Sequence, residues 1–496
     1  MTYDAQNSPV IGIDLGTTFS SIARWTGEEA ETYSPKGERM VRSVVYYDEK
    51  NNKYIFGNTA FMSGILNPEN VIVGVKRLMD DRNAKIKLGS KIHDPIEISS
   101  MILKNLYNNV KSMFPSGVYE ASGVVVTVPY YFKAHQFQNT SEAAKMAGLK
   151  LLGIIQEPIA AALAYGFHHS NKHLNREEKL LIFDLGGGTF DLTIIKVKED
   201  ENNLFFDVLG IGGDDRLGGM DFDRAFMDYV MYREKIDFES VKNEKIKKIG
   251  KKKFLDSIIK SKETLSATES VYIAVPDVIP GVHVDAEYTR KDFEISIEPY
   301  IAKIKNIIKK TIANAGIAPY EIDKIIKVGG SSKIPIMNKI IEDEVGEGKT
   351  YSDIDPSLCV GEGAAIYAAY ISDNLNYSKN IKIETAAAHA LGVEDSRGDF
   401  VVLIHQNQKT PAKRTLTFTT DEDNQTEIDV KVYQGTAKRA RDNEHVGTVK
   451  VIGLKPIPKY QLEIKITFEV GRSQEVKVTI EETQSGINKT EVMKLT

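Results

Sequence analysis

The sequence predicts a large α/β domain followed by an all-β sandwich. In the first part, apolar strands alternate with segments whose apolar residues recur every three or four positions, such as "IEISSMILKNLYNNVKSMF" and "QNTSEAAKMAGLKLLGIIQEPIAAALAYGF", which indicates sheets covered by helices. After the polar segment 372–380, four stretches alternate with period two: "IDVKVYQG", "GTVKVIGL", "QLEIKITFEV" and "EVKVTIEE". This alternation predicts antiparallel strands in a β part of about 110 residues, an ordinary domain size.

Composition narrows the classes of function. The chain has 496 residues, of which 42% are hydrophobic and 27% charged, with a net charge of −5, so it gives no overall attraction for nucleic acid. Cys359 is the single cysteine, which excludes an intrachain disulfide or a multi-cysteine metal site. The sequence has neither a signal-like N-terminus nor a long apolar run. We expect a cytoplasmic protein with no membrane or nucleic-acid partner.

Two glycine-rich turns carry the chemistry of the α/β part. The stretch "LLIFDLGGGTFDLTIIKVK" places Gly186, Gly187 and Gly188 between apolar strands, where backbone N–H groups can converge on an anion. "VIGIDLGTTFSSIARW" repeats the pattern around Gly16, which suggests an internal duplication. One such turn is most simply a tight hairpin, but two copies favour a polyphosphate site.

Acidic and hydroxyl side chains border both turns. The aspartates would repel a bare phosphate unless a hydrated cation lay between them, so they predict Mg²⁺. The hydroxyls add hydrogen-bond donors for phosphate. These side chains are Asp14, Asp184 and Asp191, and Thr17, Thr18 and Thr189.

Two further glycine clusters are weaker signals. "IIKVGGSSKIP" places Gly329 and Gly330 between a strand and a helix, where a base or ribose could lie against the backbone. "GIGGDDRLGGMDFD", with Gly212 and Gly213, could close over phosphates or be a plain loop. "DEVGEGKT" is rejected as a phosphate loop because Asp343 replaces its first glycine and a helix is predicted before it.

Together these motifs resemble the seventy-kilodalton heat-shock chaperone family of the DnaK type. "IGIDLGTTFS" and "IFDLGGGTFDLTII" look like its phosphate turns, "VVVTVPYYF" and "IIQEPIAAALAYG" its connecting elements, and "VGGSSKIP" its adenosine turn. The similarity continues through "FTTDEDNQTEIDVKVYQG" and "RARDN". It covers the chain from about Val10 onward, with the motifs in the family's order.

The resemblance implies an actin-like, two-lobed ATPase domain over residues 1–378, an interdomain linker at 379–388 and a peptide-binding β-sandwich over 389–496 without a helical lid. It implies an ATP-dependent chaperone that slowly hydrolyses ATP to ADP and phosphate. The β domain would bind extended segments of unfolded proteins, and loss of the lid would make their release fast.

The resemblance also implies roles for single residues. Lys76 and Glu157 would arrange the attacking water, with Asp184 and Thr189 beside the γ-phosphate. Considered alone, Lys76 could be a surface lysine, and Glu157 a helix-start charge. Asp14, Asp184 and Asp191 would hold Mg²⁺ and K⁺, partly through water. The remaining nucleotide contacts would be Gly16, Thr17, Thr18, Gly186, Gly187, Gly188, Gly212, Gly213, Lys262, Ser266, Gly329, Gly330, Ser331 and Lys333.

Departures from the family pattern predict weaker nucleotide binding. Lys333 replaces an arginine that would stack on the base, and Ile259 replaces an acid that would meet the ribose. The chain between Lys76 and Glu157 is about two dozen residues short of the family spacing, which would trim a subdomain gripped by nucleotide-exchange factors.

The linker and its surroundings predict weak coupling between the domains. Pro129 matches a proline used in interdomain signalling, but Ile381 and Ile383 alternate with charged residues and offer little apolar surface for docking. Phe137 and Gly153 replace arginines that serve J-domain proteins or interdomain contacts. We therefore expect little stimulation by an ordinary J-domain protein.

The peptide groove keeps its apolar lining but changes its rim. Val393, Phe418, Ile428 and Val430 would line a channel, while Ser396 and Asp421 replace a hydrophobic arch. With nearby charge from Asp395 and Asp399, this groove should prefer peptides with Lys or Arg beside an aliphatic anchor, or hold peptides poorly.

Two other functions fit parts of the sequence. A regulatory relative would bind ATP as a conformational latch, hydrolyse it weakly and use the β domain for docking. A sugar or acetate kinase on the same ATPase fold would leave the β part without a purpose.

Overall fold

A computed structural model describes residues 8–81, 83–170, 177–375, 380–471 and 476–493, apart from the side chains of 134, 169 and 170. The predicted boundary at 378/379 lies outside the described residues, as do residues 1–7 and 494–496 of the predicted domains.

The first lobe is built on a mixed sheet that begins with an antiparallel hairpin. In this sheet β1 pairs with β2 on one side and runs parallel to β10 on the other, and β10 is followed by β11. A smaller sheet of β5, β6 and β7 and the β8–β9 hairpin form its outer part. The strands are β1 (Val10–Asp14), β2 (Phe19–Trp25), β3 (Ala30–Thr32), β4 (Val41–Arg42), β5 (Val44–Asp48), β6 (Lys53–Phe56), β7 (Val71–Val73), β8 (Ile86–Leu88), β9 (Lys91–His93), β10 (Gly123–Val128) and β11 (Leu151–Gln156). The helices are α1 (Gly57–Ser63), α2 (Pro95–Lys111), α3 (Ala134–Met146) and α4 (Glu157–Ser170).

The second lobe repeats this plan. Its sheet begins with the β12–β13 hairpin, β17 runs parallel to β12, and β14 continues the sheet beyond β13. The strands are β12 (Glu178–Leu185), β13 (Phe190–Glu199), β14 (Asn203–Asp214), β15 (Ser270–Ile279), β16 (Val282–Thr289) and β17 (Lys324–Val328). The helices are α5 (Gly219–Glu234), α6 (Glu244–Leu265), α7 (Arg290–Ser296), α8 (Glu298–Asn314) and α9 (Pro335–Val345). The last helix, α10 (Cys359–Ile371), packs on the first lobe's sheet and on α4.

One predicted helical segment contains a strand. Gly148, at φ 78°, follows α3, and residues Leu151–Gln156 then pair in parallel with β10 before α4 begins. Parallel pairing of "LLGIIQ" between buried elements overrides its helix-like spacing, since short apolar runs are ambiguous by periodicity. By contrast, the helix predicted before "GEGKT" is confirmed as α9.

The linker forms a strand of the second lobe's sheet, contrary to the weak docking expected from its sequence. Strand β18 (Asn380–Ala386) runs parallel to β14 from Asn203↔Asn380 to Asp207↔Glu384. Ile381 is 4% exposed and packs in the core of the α/β part. Backbone pairing supplies the docking that the few apolar side chains did not predict.

The β part consists of two four-stranded antiparallel sheets that share one apolar core. One sheet has the order β20–β19–β23–β24 and the other β22–β25–β26–β27, while β21 pairs with the linker strand β18. The strands are β19 (Leu391–Glu394), β20 (Phe400–Ile404), β21 (Lys409–Thr410), β22 (Ala412–Phe418), β23 (Glu427–Gln434), β24 (Glu444–Ile452), β25 (Ile464–Val470), β26 (Val476–Glu482) and β27 (Ile487–Val492). All four segments predicted as strands are confirmed.

Among the helices in the described residues, none has both the length and the apolar character needed to cross a bilayer.

Replacing Ile381 with Asp should release the linker strand. The substitution removes a buried side chain worth about 1.5–3 kcal/mol and places a charge in the core. Hydrogen exchange measured by mass spectrometry should then show loss of protection at residues 381–384. Glu384→Gln on an exposed position of the same strand is the control and should retain protection. Equal protection in Ile381→Asp would contradict the docking seen here.

Candidate functional site

The two glycine turns lie directly against each other where the two lobes meet. A Cβ built on Gly188 would lie 2.6 Å from Thr17 Cγ2, and one on Gly187 would collide with Thr18 Oγ1. Only residues without side chains allow this approach. The Ser43 hydroxyl donates to the Gly16 carbonyl at 2.8 Å and fixes the first turn. The turns predicted to grip a polyphosphate are therefore adjacent.

A third backbone segment closes against the second turn, although not through the predicted glycines. The Gly219 and Met220 N–H groups donate to Gly186 O at 3.0 Å and Gly187 O at 2.8 Å. A Cβ on Gly218 would lie 2.6 Å from the Gly188 nitrogen.

The predicted Gly212 and Gly213 instead lie in β14, where they pair with Leu192 and Asp191. The cluster was identified in the sequence, but the strand reaches Asp214, which moves the turn to its second glycine pair.

Lys76 and Glu157 form a buried ion pair within the first lobe. Lys76 lies in the 3₁₀ turn Val75–Leu78 and Glu157 is the first residue of α4. The Lys76 Nζ is 2.6 Å from Glu157 Oε1, and both side chains are less than one-tenth exposed. The lysine also lies 5.6 Å from the centre of the Phe132 ring. Lys76 is thus not the surface lysine of the simpler interpretation.

Three aspartates surround this pair. Asp14 is the last residue of β1 and Asp184 the last but one of β12, while Asp191 follows the second turn on β13. Burial and the nearby Glu157 raise the pKa of Asp14 to about 7 and the pKa of Asp191 to about 8. The same causes, together with Asp191, raise the pKa of Asp184 well above its usual value. Four carboxyl groups therefore surround the positive charge of Lys76, and they outnumber it.

The donor set fits a hydrated divalent cation. Asp191 accepts from the Tyr131 N–H at 2.8 Å through Oδ1, whereas its buried Oδ2 has no hydrogen-bond partner in the structure. The three aspartates do not form a group of ligand atoms close enough for direct coordination of one ion. Hard cations such as Mg²⁺ commonly keep water between themselves and carboxylates, which matches this spacing.

Arg77 was not singled out in the sequence, yet it joins the two lobes at the second turn. Its Nε donates to Gly188 O at 2.9 Å, and its guanidinium forms a bidentate pair with Asp221 at the start of α5. Its position next to Lys76 was the available signal. Arg77 fixes the second turn relative to the 3₁₀ turn that carries Lys76.

Among the residues assigned to the adenosine side, Lys262 and Ser331 lie next to Gly219. Lys262 donates to Gly219 O at 3.1 Å and pairs with Asp223 at 2.7 Å, and a Cβ on Gly219 would lie 2.5 Å from Ser331 Oγ. Ser266 caps the end of α6. Lys333 is exposed and donates to Ser357. The glycines of this cluster, Gly329 and Gly330, follow β17 as predicted, and Thr189 closes the second turn by accepting from Gly186 N.

The predicted groove residues lie along the β domain's sheets. Val393 and Val430 are buried in the core, while Phe418 and Ile428 pack against it partly exposed. Ser396 is exposed, as is Asp421 on the loop before β23.

Two rim charges predicted near the groove are already paired. Asp395 pairs with Arg397 at 3.1 Å, and Asp399 with Arg439 at 3.0 Å. The acidic character of the rim therefore rests on the exposed loop that begins at Asp421.

Residues after Pro129 contact both Asp191 and the linker strand. The buried Tyr130 hydroxyl donates to Ala386 O at 3.1 Å and accepts from Ala386 N at 3.0 Å. The Tyr131 carbonyl lies 3.0 Å from His389 Nε2, and the two rings meet edge to face. Phe137 and Gly153, which replace arginines of the family pattern, make apolar contacts. Phe137 packs with Val128, Phe132 and Ile154, and Gly153 lies against Ile371.

A family model described as "Hsp70 protein" matches residues 10–496. The match includes both glycine turns, the linker strand and the β part.

Binding of Mg²⁺–ATP at neutral pH should release protons. Because the raised pKa values keep part of the aspartates protonated without a cation, binding of Mg²⁺ should displace on the order of one proton. Calorimetric titration at about pH 7 in buffers of different ionisation enthalpy measures this number. Asp191→Asn, which retains the Oδ1 acceptor for Tyr131, should release fewer protons.

Asp48→Asn is the matched control, because the hydrogen bond from Asn51 lowers the pKa of this partly exposed aspartate. It should release as many protons as the wild type. Identical binding heats in all buffers would contradict the proton displacement.

Proposed function

The chain belongs to the Hsp70 family, and on that premise we propose that it hydrolyses ATP between its two lobes and binds extended peptide segments in its β domain. Family members are ATP-dependent chaperones that bind ATP or ADP with Mg²⁺. The observation that carries the proposal is the buried Lys76–Glu157 pair, held beside two facing glycine turns.

Hydrolysis needs a positioned water and a receptor for negative charge. Glu157 orients the water and accepts its proton, while Lys76 donates a hydrogen bond to Glu157 and faces the phosphate being transferred. Thr17, Thr18 and Thr189 donate hydroxyls, and the backbone of the two turns supplies N–H groups. Mg²⁺, when bound, would neutralise phosphate charge. Asp14, Asp184 and Asp191 would hold its waters and a K⁺ ion.

The β domain offers a site for extended chains. Phe418 and Ile428 present partly exposed apolar side chains beside an acidic loop that contains Asp421, Glu422 and Asp423. An aliphatic anchor would pack on the apolar side chains, and a flanking Lys or Arg would meet the loop. We propose basic-aliphatic peptide segments as the preferred ligands.

Contacts between the domains favour coupling over the uncoupled regulatory alternative. Asp191 in the nucleotide site accepts from Tyr131, which in turn contacts His389 of the β domain. The neighbouring Tyr130 holds the end of the linker. A cation that changes the position of Asp191 would therefore act on the two residues nearest the linker.

Single-turnover hydrolysis tests the ATPase assignment. Lys76→Ala and Glu157→Gln should each lower the rate by about a hundredfold, the usual contribution of a positioned acid–base group. Labelled-ATP binding should be measured in parallel to separate binding from chemistry. Lys91→Ala, an exposed lysine of the outer hairpin, should leave the rate unchanged. Undiminished turnover in Lys76→Ala would remove the assigned role of Lys76.

Peptide binding tests the assignment of the β domain. A fluorescent peptide with an aliphatic centre and flanking lysines should bind more tightly than its glutamate counterpart. The difference should shrink at high salt, since exposed charges are screened. Asp421→Asn should weaken lysine-peptide binding by a few-fold, as measured by anisotropy. Asp395→Asn is the control, since Arg397 already pairs with that carboxylate. Equal affinity for both peptides would contradict the proposed preference.

A further inference from the structure

Four charged or titratable side chains meet where the two domains touch. Lys133 precedes α3 and His135 lies in its first turn, Asp80 follows the 3₁₀ turn that carries Lys76, and Glu444 begins β24 of the β domain. We call Asp80, Lys133, His135 and Glu444 the interdomain charge cluster. Glu444 is the one member that comes from the β domain.

His135 bridges the two domains with both ring nitrogens. Its Nε2 lies 3.1 Å from Asp80 Oδ1, and its Nδ1 lies 2.8 Å from Glu444 Oε1. A neutral imidazole carries one N–H and can donate to only one carboxylate, whereas an imidazolium donates to both. The geometry therefore belongs to a charged histidine, and its side chain is only 6% exposed.

The cluster resembles a metal site, but a lysine already supplies its positive charge. Ligand atoms of Asp80, His135 and Glu444 lie within 4.8 Å of one another. However, the Lys133 Nζ contacts both carboxylates, at 3.1 Å from Asp80 and in close contact with Glu444. An ion would have to displace this ammonium and free one ring nitrogen.

The surrounding charges have opposing effects on His135. Lys133, Arg216, which pairs with Asp80 at 3.3 Å, and the positive N-terminus of α3 all disfavour an imidazolium. Asp80, Glu444 and the neighbouring Asp215 favour it. Burial lowers the pKa of His135, but the hydrogen bonds with Asp80 and Glu444 outweigh it, so the pKa is raised.

We propose that His135 is a pH-responsive clamp that, when protonated, holds the β domain against the ATPase domain through Glu444. When the domains separate, His135 keeps Asp80 and loses Glu444, so its pKa is higher in the docked state. Protonation of His135 then contributes its full stabilisation of docking when the pH is below the pKa of His135 in the undocked state. This contribution is lost as the pH rises through the pKa of His135 in the docked state. The clamp does not depend on ATP hydrolysis.

Energy transfer between two dyes in the nucleotide-free full chain measures docking. Glu347→Cys and Gln484→Cys place one dye at an exposed position in each domain, and the single native cysteine is buried. The ratio of docked to undocked molecules should rise on the order of tenfold from about pH 8 to about pH 6, because docking favours the protonated imidazole.

His135→Gln and Glu444→Gln should each remove this pH response. His93→Gln is the matched control, because His93 also contacts a carboxylate, Glu97 at 3.0 Å, but within the first lobe. It should leave the response intact. The other buried interface histidine, His389, stays neutral in this range because burial lowers its pKa to about 4.

Three outcomes would overturn the clamp. They are a docking ratio independent of pH in the wild type, a pH response that persists in Glu444→Gln, and docking that requires added Zn²⁺ and is abolished by a chelator. Glu444→Gln changes only a partly exposed residue of the β domain, so it provides the decisive comparison if His135→Gln destabilises the fold.

Discussion

The excess of carboxyl groups over cations where the two lobes meet is the constraint on which the rest of the molecule depends. Glu157 and three aspartates lie around one buried lysine, and ionised carboxylates in such surroundings are costly unless paired. Without additional positive charge, protonation of the aspartates offsets the imbalance, as their raised pKa values indicate. A site of this kind favours a cation together with the anion that accompanies it, which is what a metal–nucleotide complex provides.

The same imbalance lies close to the domain interface. Asp191 is one hydrogen bond from Tyr131, and Tyr131 touches the first residues of the β domain. A few residues further along the chain, Lys133 and His135 form ion pairs with Glu444. A few residues after Pro129 therefore contact Asp191, the end of the linker strand and the first residues of the β part.

Features that depend on short sequence patterns could be predicted from the sequence, whereas contacts between distant segments could not. The glycine turns, the aspartates and the strands of the β part depend on short patterns, and they lie where those patterns predicted. The docking of β18 depends on pairing with β14, far away in the chain, and the alternation of Ile381 and Ile383 with charged residues concealed it. Likewise, the bond of Arg77 to Asp221 and the pairing of Asp399 with Arg439 depend on geometry that composition does not specify. In the fourth glycine cluster, the length of β14 decided which glycines reach the turn.

The linker strand also protects the sheet that it joins. While β18 is paired, the N–H and C=O groups on the outer side of β14 are satisfied over Asn203–Asp207. Its departure would bare a row of unsatisfied backbone groups, which is a template for any other extended chain. Release of the linker strand when the domains separate would therefore favour aggregation. At high protein concentration, molecules with this exposed edge would be prone to edge-to-edge self-association.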